Sequence, residues 1–327
     1  MSELQELQKS IAEELKALND RIDCALKSPN ILLNSIIGNY LSVRGKQVRP
    51  IVVMLSAKIA SGHVNAKAIE GGAAVELLHN ASLIHDDVVD DSKERRGRKT
   101  VNALWDNHIA VLVGDYFTTT ALNCAIGTNE LKIIDSICRL GQKLSLGELD
   151  QIHNARCNLL SEEAYMQVIE RKTASLFVAC AEIGCNAVGA SEDTIKKLSD
   201  FALLLGLCFQ IRDDIFDYFT SDGNTVGKPT GNDLREGKVT LPLIHVLLQK
   251  ALPDNDKMLK LCSADQLSEP EIETLIEYAK NNGGIDYARE KMKELQNAAE
   301  KILDTFPESA AREQMRHLLS YVVTRSY

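Results

Sequence analysis

The placement of proline constrains this chain more than any other feature. Its seven prolines stand at positions 29, 50, 229, 242, 253, 270 and 307, and none falls between Pro50 and Pro229. Proline inside a helix removes a backbone donor and clashes with the preceding turn, so long helices exclude it. The proline-free middle therefore predicts a helical core. Periodicity agrees: Leu4, Leu7, Ile11, Leu15, Leu18 and Ile22 recur at three- and four-residue intervals, which gives a helix one apolar face. Ser161, followed by Glu162 and Glu163, has the form of a helix start. Gly283-Gly284 closes one helix and Pro307 separates the last two. No run of alternating residues bounded by turn pairs occurs, so strands are not expected. The prediction is an all-α fold. Residues 221–237 are the most loop-like stretch but too short to mark a boundary, so residues 1–327 are expected to form a single all-helical domain.

Composition removes several classes of function. Asp and Glu number 46 against 37 Lys and Arg, a net charge of -9, which argues against a nucleic-acid partner because phosphate backbones need a positive footprint. The hydrophobic fraction of 45% is that of an ordinary globular protein and excludes disorder. None of the eight cysteines forms a C-x-x-C pair, and Cys180 and Cys208 sit in apolar stretches as small core residues, which suits a reducing compartment. A membrane-spanning helix needs about 18 apolar residues in a row, and the best candidate, Phe201 to Ile211, is far shorter. No integral membrane segment is expected. The N-terminus lacks a basic-then-apolar signal layout. The expected location is cytoplasmic.

Two aspartate clusters carry the chemistry. Asp86-Asp87-Val88-Val89-Asp90 and Asp213-Asp214-Ile215-Phe216-Asp217 share the form Asp-Asp-x-x-Asp, and both are embedded in apolar helical sequence. Positions i and i+4 share a helix face, so Asp86 pairs with Asp90 and Asp213 with Asp217, and like charges so placed oppose helix formation. His79 lies two turns before Asp86, and Gln210 two turns before Asp217. Acidic runs are ordinarily solvated faces, but two matching clusters flanked by apolar residues need another explanation: carboxylates in apolar surroundings are costly unless paired. The economical one is that both helices face one cavity and share divalent cations. Hard carboxylate oxygens suit Mg²⁺ or Mn²⁺ over zinc. Mg²⁺ binds through one or two carboxylates plus substrate phosphates, which points to a phosphorylated substrate. The Ca²⁺ loop pattern is absent from both places.

A phosphate site also needs cations from the protein. Lys46 and Arg49 stand in Gly-Lys-Gln-Val-Arg-Pro at 45–50, Arg95-Arg96-Gly97 follows the first cluster, Lys172-Thr173 lies mid-chain, and Lys228 and Lys238 follow the second cluster. Arginine favours bidentate phosphate contacts and lysine acts as a point charge. The 45–50 segment is not a P-loop, since it lacks G-x-x-x-x-G-K-[ST] and no strand precedes it.

At this point the sequence resembles the trans-polyprenyl diphosphate synthase family. The matching stretches are Gly-Lys-x-x-Arg-Pro (45–50), Leu-Leu-His-x-x-x-Leu-Ile-His-Asp-Asp-x-x-Asp (77–90), Arg-Arg-Gly (95–97), Val-Gly-Asp-Tyr (113–116) and Lys-Thr (172–173). Phe-Gln-Ile-x-Asp-Asp-x-x-Asp (209–217) and Gly-Lys…Asp-Leu-x-Glu-Gly-Lys-x-Thr-Leu-Pro (227–242) complete the set, in family order. The resemblance implies a many-helix bundle around a deep central cavity (the isoprenoid synthase type), a homodimer, and condensation of an allylic diphosphate with isopentenyl diphosphate. It implies Mg²⁺, three ions, held by Asp86, Asp90, Asp213 and Asp217, with Asp87 and Asp214 as ligands or as partners supporting them. Arg95, Lys172 and Lys228 would support the departing diphosphate. Lys46, Arg49, His79 and Arg96 would bind isopentenyl diphosphate, and Lys238 a phosphate from a closing loop. Thr173 and Gln210 carry oxygens suited to the allylic cation, and the departing pyrophosphate is the expected base for the final proton. His79 by itself would be an ordinary helix histidine satisfied by a carbonyl; its Leu-Leu-His context assigns it to the substrate.

Product length follows from Ala81 and Ser82. One helical turn before Asp86, these positions hold bulky residues in short-chain members of the family, and here both are small. Helical geometry places Ser82 near the Asp86 stripe, with Leu78 and Val75 deeper. The expected product is a long polyprenyl diphosphate of about seven to ten isoprene units, in the range of quinone side chains, built on farnesyl diphosphate. A deeper residue on the helix around Tyr116 to Cys124 is the competing stop, giving a geranylgeranyl or farnesyl product. Two other readings are a terpene cyclase, which would not need Lys46 and Arg49 for a second diphosphate, and a regulatory subunit of a heteromeric synthase, which tends to lose the aspartates that are all present here.

Overall fold

A computed structural model describes residues 3–43, 45–95, 97–219, 230–264 and 266–325 of the chain. These residues are almost entirely α-helical, as expected. The only strands among them are Glu94–Arg95 and Arg98–Lys99, paired antiparallel with Glu94 opposite Lys99 and Arg95 opposite Arg98. Gly97, at φ +71°, supplies the left-handed residue that so tight a turn requires. Two-residue strands are too short to show alternation, which is why periodicity did not predict them.

The N-terminal apolar stripe forms two helices, Glu3–Ser10 and Ala12–Ala25, with Ile11 at φ -128° between them. All six of its apolar residues are nevertheless buried. Two other boundaries fall where the sequence placed them. Gly283, at φ +84°, separates helices Glu269–Asn281 and Gly284–Leu303, and Pro307 lies between Leu303 and helix Ala310–Thr324.

The chain divides into two compact units, each discontinuous in sequence: Met1–Gln142 with Ser175–Leu203 and Glu300–Tyr321, and Lys143–Ala174 with Leu204–Ala299 and Val322–Tyr327. In the first unit, helix Ala66–Val89 is surrounded by helices Ala12–Ala25, Val48–Ser61, Asn107–Gly127 and Ser175–Ala187. The side chain of Asn65 caps it, accepting the Ala68 N–H at 3.0 Å. Val75, Leu77, Leu78, Ala81 and Ile84 on it are all buried. A helix apolar on most sides is a core helix, and each large side chain fully buried there contributes about 1.5–3 kcal/mol. Gly184 sets one contact in this unit. A Cβ there would lie 2.3 Å from the Val53 carbonyl oxygen, so only glycine lets the Ser175–Ala187 and Val48–Ser61 helices meet backbone to backbone.

Helix Asn107–Gly127 replaces Phe201 to Ile211 as the best candidate span among the described residues. By length and composition it is long and apolar enough to cross a membrane, and a little under half of it is buried. A search for an unbroken apolar run passes over it because Asp115, the threonines at 118–120 and Asn123 interrupt the run. Its packing on the Ala66–Val89 helix gives it a core role. Leu112 (67% exposed) and Ile126 (57%) lie on its open face.

In the second unit, Ser161 caps helix Glu162–Ile169 by accepting the Ala164 N–H at 3.3 Å. That helix runs directly into a π-helical turn, Glu170–Ala174. Helices Leu241–Leu248, Asn255–Cys262 and Glu269–Asn281 pack alongside.

Candidate active site

Both aspartate motifs sit at the C-terminal end of a helix. Helix Ala66–Val89 ends with Asp90 as its cap, the Asp90 N–H bonding the Asp86 carbonyl at 2.8 Å. Helix Glu192–Phe216 ends one residue before Asp217. A helix C-terminus carries the negative end of the dipole, so carboxylates gathered there repel both it and one another. Burial follows the same pattern in both motifs: the first and third aspartates are half-buried and the second is buried.

The two buried aspartates are held from inside. Asp87 accepts the Arg95 Nε–H at 2.8 Å, and its carbonyl accepts from the Ser92 N–H at 2.9 Å and the Asn102 amide at 3.1 Å. Burial disfavours the Arg95 charge, but the carboxylates of Asp87 and Asp86 outweigh that and hold its pKa above the ordinary value. Asp214 accepts the Tyr165 hydroxyl at 2.5 Å on one oxygen and the Gln210 amide at 2.7 Å on the other. Burial pushes its pKa up to about 7, against the pull of those two hydrogen bonds. Gln210 in turn accepts the Thr173 hydroxyl at 2.6 Å. Asp87 and Asp214 are thus both buried and both engaged by internal donors.

In the second motif the outer aspartates also have partners. Asp213 pairs with Arg325 at 2.5 Å, and the Arg325 guanidinium lies 4.3 Å from the Phe209 ring centroid. Asp217 accepts the backbone N–H groups of Asn232 and Asp233, both at 3.0 Å, and so caps the short helix Asn232–Arg235.

The basic residues are placed as follows. Lys46 is exposed, with its ammonium 6.0 Å from the Tyr321 ring centroid. Arg49 is half-buried, its guanidinium 5.6 Å from the Phe177 ring. Between them Gln47 takes φ +52°, an unusual conformation for a non-glycine residue, and its amide bonds Asn19 at 2.7 Å. Residues held in such regions cluster at ligand sites. Gly45, Gln47, Asn80 and Arg95 line one surface cavity together with Tyr40. His79 is buried. Lys172 and Thr173 lie within the π-turn, a feature that often marks functional sites. Lys172 Nζ bonds Glu148 and, at 3.5 Å, Gln151. Lys238 pairs with Glu236 at 2.5 Å. Arg96 and Lys228 lie outside the described residues. Ala81 is buried, while Ser82 is half-buried with its hydroxyl on the His79 carbonyl at 2.9 Å.

Residue-level reading missed Tyr165, Glu148, Gly147 and Arg325. Tyr165 and Arg325 reach their aspartates over 49 and 112 residues of sequence, and neither stands in a motif. The acidic residues Glu148 and Asp150, two positions apart, are a visible signal opposite the basic pair Arg171–Lys172, which they meet.

Among the described residues no group of three or more His, Cys, Asp or Glu side chains is preassembled for a metal ion. Mg²⁺ does not need one, since it keeps waters and takes one or two carboxylates plus substrate phosphates. The donor set fits it: only carboxylate oxygens, at the negative ends of two helices, where a cation relieves the repulsion.

Fold and sequence together give a mainly helical chain with two Asp-Asp-x-x-Asp motifs, each at the C-terminal end of a helix. Over residues 30–279 the chain matches the polyprenyl synthetase family. It is 32% identical to octaprenyl diphosphate synthase of Escherichia coli over 98% of this chain and 99% of that protein. It is 33% identical to heptaprenyl diphosphate synthase component 2 of Bacillus subtilis, covering 96% of this chain and 89% of that one. The crystal structure of a geranylgeranyl pyrophosphate synthase from Bacteroides thetaiotaomicron superposes with a TM-score of 0.85 at 36% identity, covering 99% of this chain and 100% of that chain. The chain belongs to the polyprenyl synthetase family. Its enzyme class is that of the polyprenyl diphosphate synthases, which are prenyltransferases of isoprenoid biosynthesis.

Proposed function

We propose that this enzyme extends farnesyl diphosphate with isopentenyl diphosphate units to a long all-trans polyprenyl diphosphate for a quinone side chain. The observation that supports the reaction is the repeated burial pattern: in each motif the middle aspartate is buried and held by internal donors, while the first and third are half-buried. Asp86, Asp90, Asp213 and Asp217 would hold Mg²⁺, or Mn²⁺ in its place, with Asp87 and Asp214 supporting them. When bound, the metal supplies neutralisation of the diphosphate leaving group. Arg95, Lys172 and Lys228 add positive charge to the same group. Lys46, Arg49, His79 and Arg96 hold isopentenyl diphosphate, which undergoes no ionisation and so needs no metal. Lys238 takes a phosphate from the loop that precedes helix Leu241–Leu248. Thr173 and Gln210 turn oxygens toward the allylic cation. The allylic carbon–oxygen bond breaks, the alkene of isopentenyl diphosphate forms the new carbon–carbon bond, and the proton lost goes to the released pyrophosphate.

The long product rests on Ala81 and Ser82, and the Escherichia coli relative supports it. The Bacteroides structure favours a geranylgeranyl product as the second reading. The Bacillus relative, named as one component of a synthase, favours a heteromeric partner, whereas exposed Leu112 and Ile126 support a homodimer. We place the enzyme in the cytoplasm and treat residues 1–327 as one catalytic domain.

A product-length assay tests the reading. Purified protein receives Mg²⁺, farnesyl diphosphate and labelled isopentenyl diphosphate, and products are sized by chromatography. A ladder ending at seven to ten units is expected. A stop at geranylgeranyl length refutes the argument from Ala81 and Ser82, and no incorporation by the protein alone points to a missing partner chain.

A further inference from the structure

Tyr165 lies outside every motif, yet it starts a chain of hydrogen bonds, buried at Asp214 and part-buried at Gln210, that ends at Thr173. Its hydroxyl donates to one oxygen of Asp214 at 2.5 Å; the other oxygen takes the Gln210 amide at 2.7 Å. The amide oxygen of Gln210 then takes the Thr173 hydroxyl at 2.6 Å. Tyr165, Thr173 and Asp214 are each less than one-tenth exposed. The direction of the chain is set by Asp214. The Tyr165 hydroxyl and the Gln210 N–H₂ stand against its two oxygens, so the amide nitrogen end of Gln210 faces the carboxyl group. That leaves the Gln210 carbonyl for Thr173 and fixes where the Thr173 hydroxyl hydrogen points.

We propose that Tyr165 is a positioning residue for prenyl transfer, acting through Asp214 on the orientation of Gln210 and through Gln210 on Thr173. The inference rests on the reading that Gln210 and Thr173 face the allylic group. Without the Tyr165 hydroxyl, one buried oxygen of Asp214 loses its donor, and a buried acceptor left unpaired is costly. The carboxylate then turns to recover a donor, and the amide that orders Thr173 turns with it.

The test is Tyr165→Phe, which removes one oxygen atom, assayed in the full-length enzyme with Mg²⁺, farnesyl diphosphate and isopentenyl diphosphate. A misplaced catalytic group costs up to about a hundredfold, so kcat is expected to fall about tenfold to a hundredfold while both KM values stay within about twofold. Thr173→Ala and the double variant complete a cycle. Groups acting in series are not additive, so the double variant is expected to be no slower than Thr173→Ala alone. Tyr287→Phe is the control: it loses a tyrosine–carboxylate bond of the same kind, to Glu162 at 2.7 Å, and keeps wild-type kcat. Wild-type kcat in Tyr165→Phe, or multiplied losses in the double variant, overturns the proposal. If Tyr165→Phe does not fold, side-chain amide exchange of Gln210 in the wild-type protein decides, slow exchange being expected and solvent-like exchange overturning it. A wild-type protein with no prenyl transfer would instead refute the functional reading and leave that exchange measurement standing.

Discussion

Gly147→Ala is the sharpest structural test. Gly147 lies in helix Leu131–Arg156 where it passes the π-turn that carries Lys172 and Thr173. A Cβ at this position would stand 2.8 Å from the Lys172 backbone nitrogen and 3.1 Å from the Lys172 Cα and the Arg171 Cβ. Ordinary contact begins near 3.4 Å, so the turn must retreat by about 0.6 Å. Two effects of opposite sign compete. Replacing a mid-helix glycine by alanine stabilises by about 1 kcal/mol through the backbone. Forcing an extra carbon against backbone costs about 1–3 kcal/mol. The net expectation is a loss of about 0–2 kcal/mol, with the displacement falling on Lys172 and Thr173. Because about 1 Å of misplacement can cost a hundredfold in rate, a loss of about tenfold in kcat is expected. Gly141→Ala in the same helix is the matched control, since a Cβ there meets nothing within 4 Å. It should gain about 0.5–1 kcal/mol and keep its rate. Denaturant unfolding and steady-state kinetics on both variants decide. A Gly147→Ala protein as stable and as fast as Gly141→Ala would refute the claim that the close approach positions the turn.

Further expectations concern other parts of the molecule. Ser82→Phe should shorten the product to about geranylgeranyl length, read by chromatography, while an unchanged ladder would move the chain-length stop to a deeper residue. Asp86→Asn should lower kcat by at least about a hundredfold, the scale of removing one electrostatic stabiliser, and raise the Mg²⁺ concentration giving half-maximal rate. Arg325→Gln frees Asp213 of its internal cation and should lower the Mg²⁺ concentration required for half-maximal rate; an unchanged requirement would show that the pair does not compete with metal. Cys24, Cys138 and Cys157 are exposed, whereas burial pushes the thiols of Cys185 and Cys208 up to about 12. An aromatic disulfide reagent at about pH 8 should therefore label three cysteines quickly in the folded protein, because the thiolate is the reactive form. Fast labelling of Cys185 or Cys208 would contradict their burial.

The features legible beforehand were those carried by short-range rules. Proline exclusion and apolar spacing predicted helices because both act within one or two turns, and the Ser161 cap, the Gly283 break and the Pro307 break were found for the same reason. The aspartate motifs stood out because repulsion between i and i+4 carboxylates is itself local. The interruption at Ile11 was invisible, since the buried stripe continues through it. The apolar character of the Asn107–Gly127 helix is hidden in the sequence because Asp115, Thr118 to Thr120 and Asn123 interrupt its apolar run.

By itself the sequence determined the helical class, the paired aspartates and the small residues ahead of Asp86, and through its motifs the family. Only the tertiary structure decided which aspartates are buried and what holds them: Arg95 for Asp87, and Tyr165 and Gln210 for Asp214. It also placed Lys172 and Thr173 on a π-turn pressed against Gly147. The physical reason is distance along the chain. A helix dipole or a like-charge pair is felt within a turn, whereas a buried carboxylate must find its donors wherever folding brings them, and for Asp214 one of its two donors is 49 residues away.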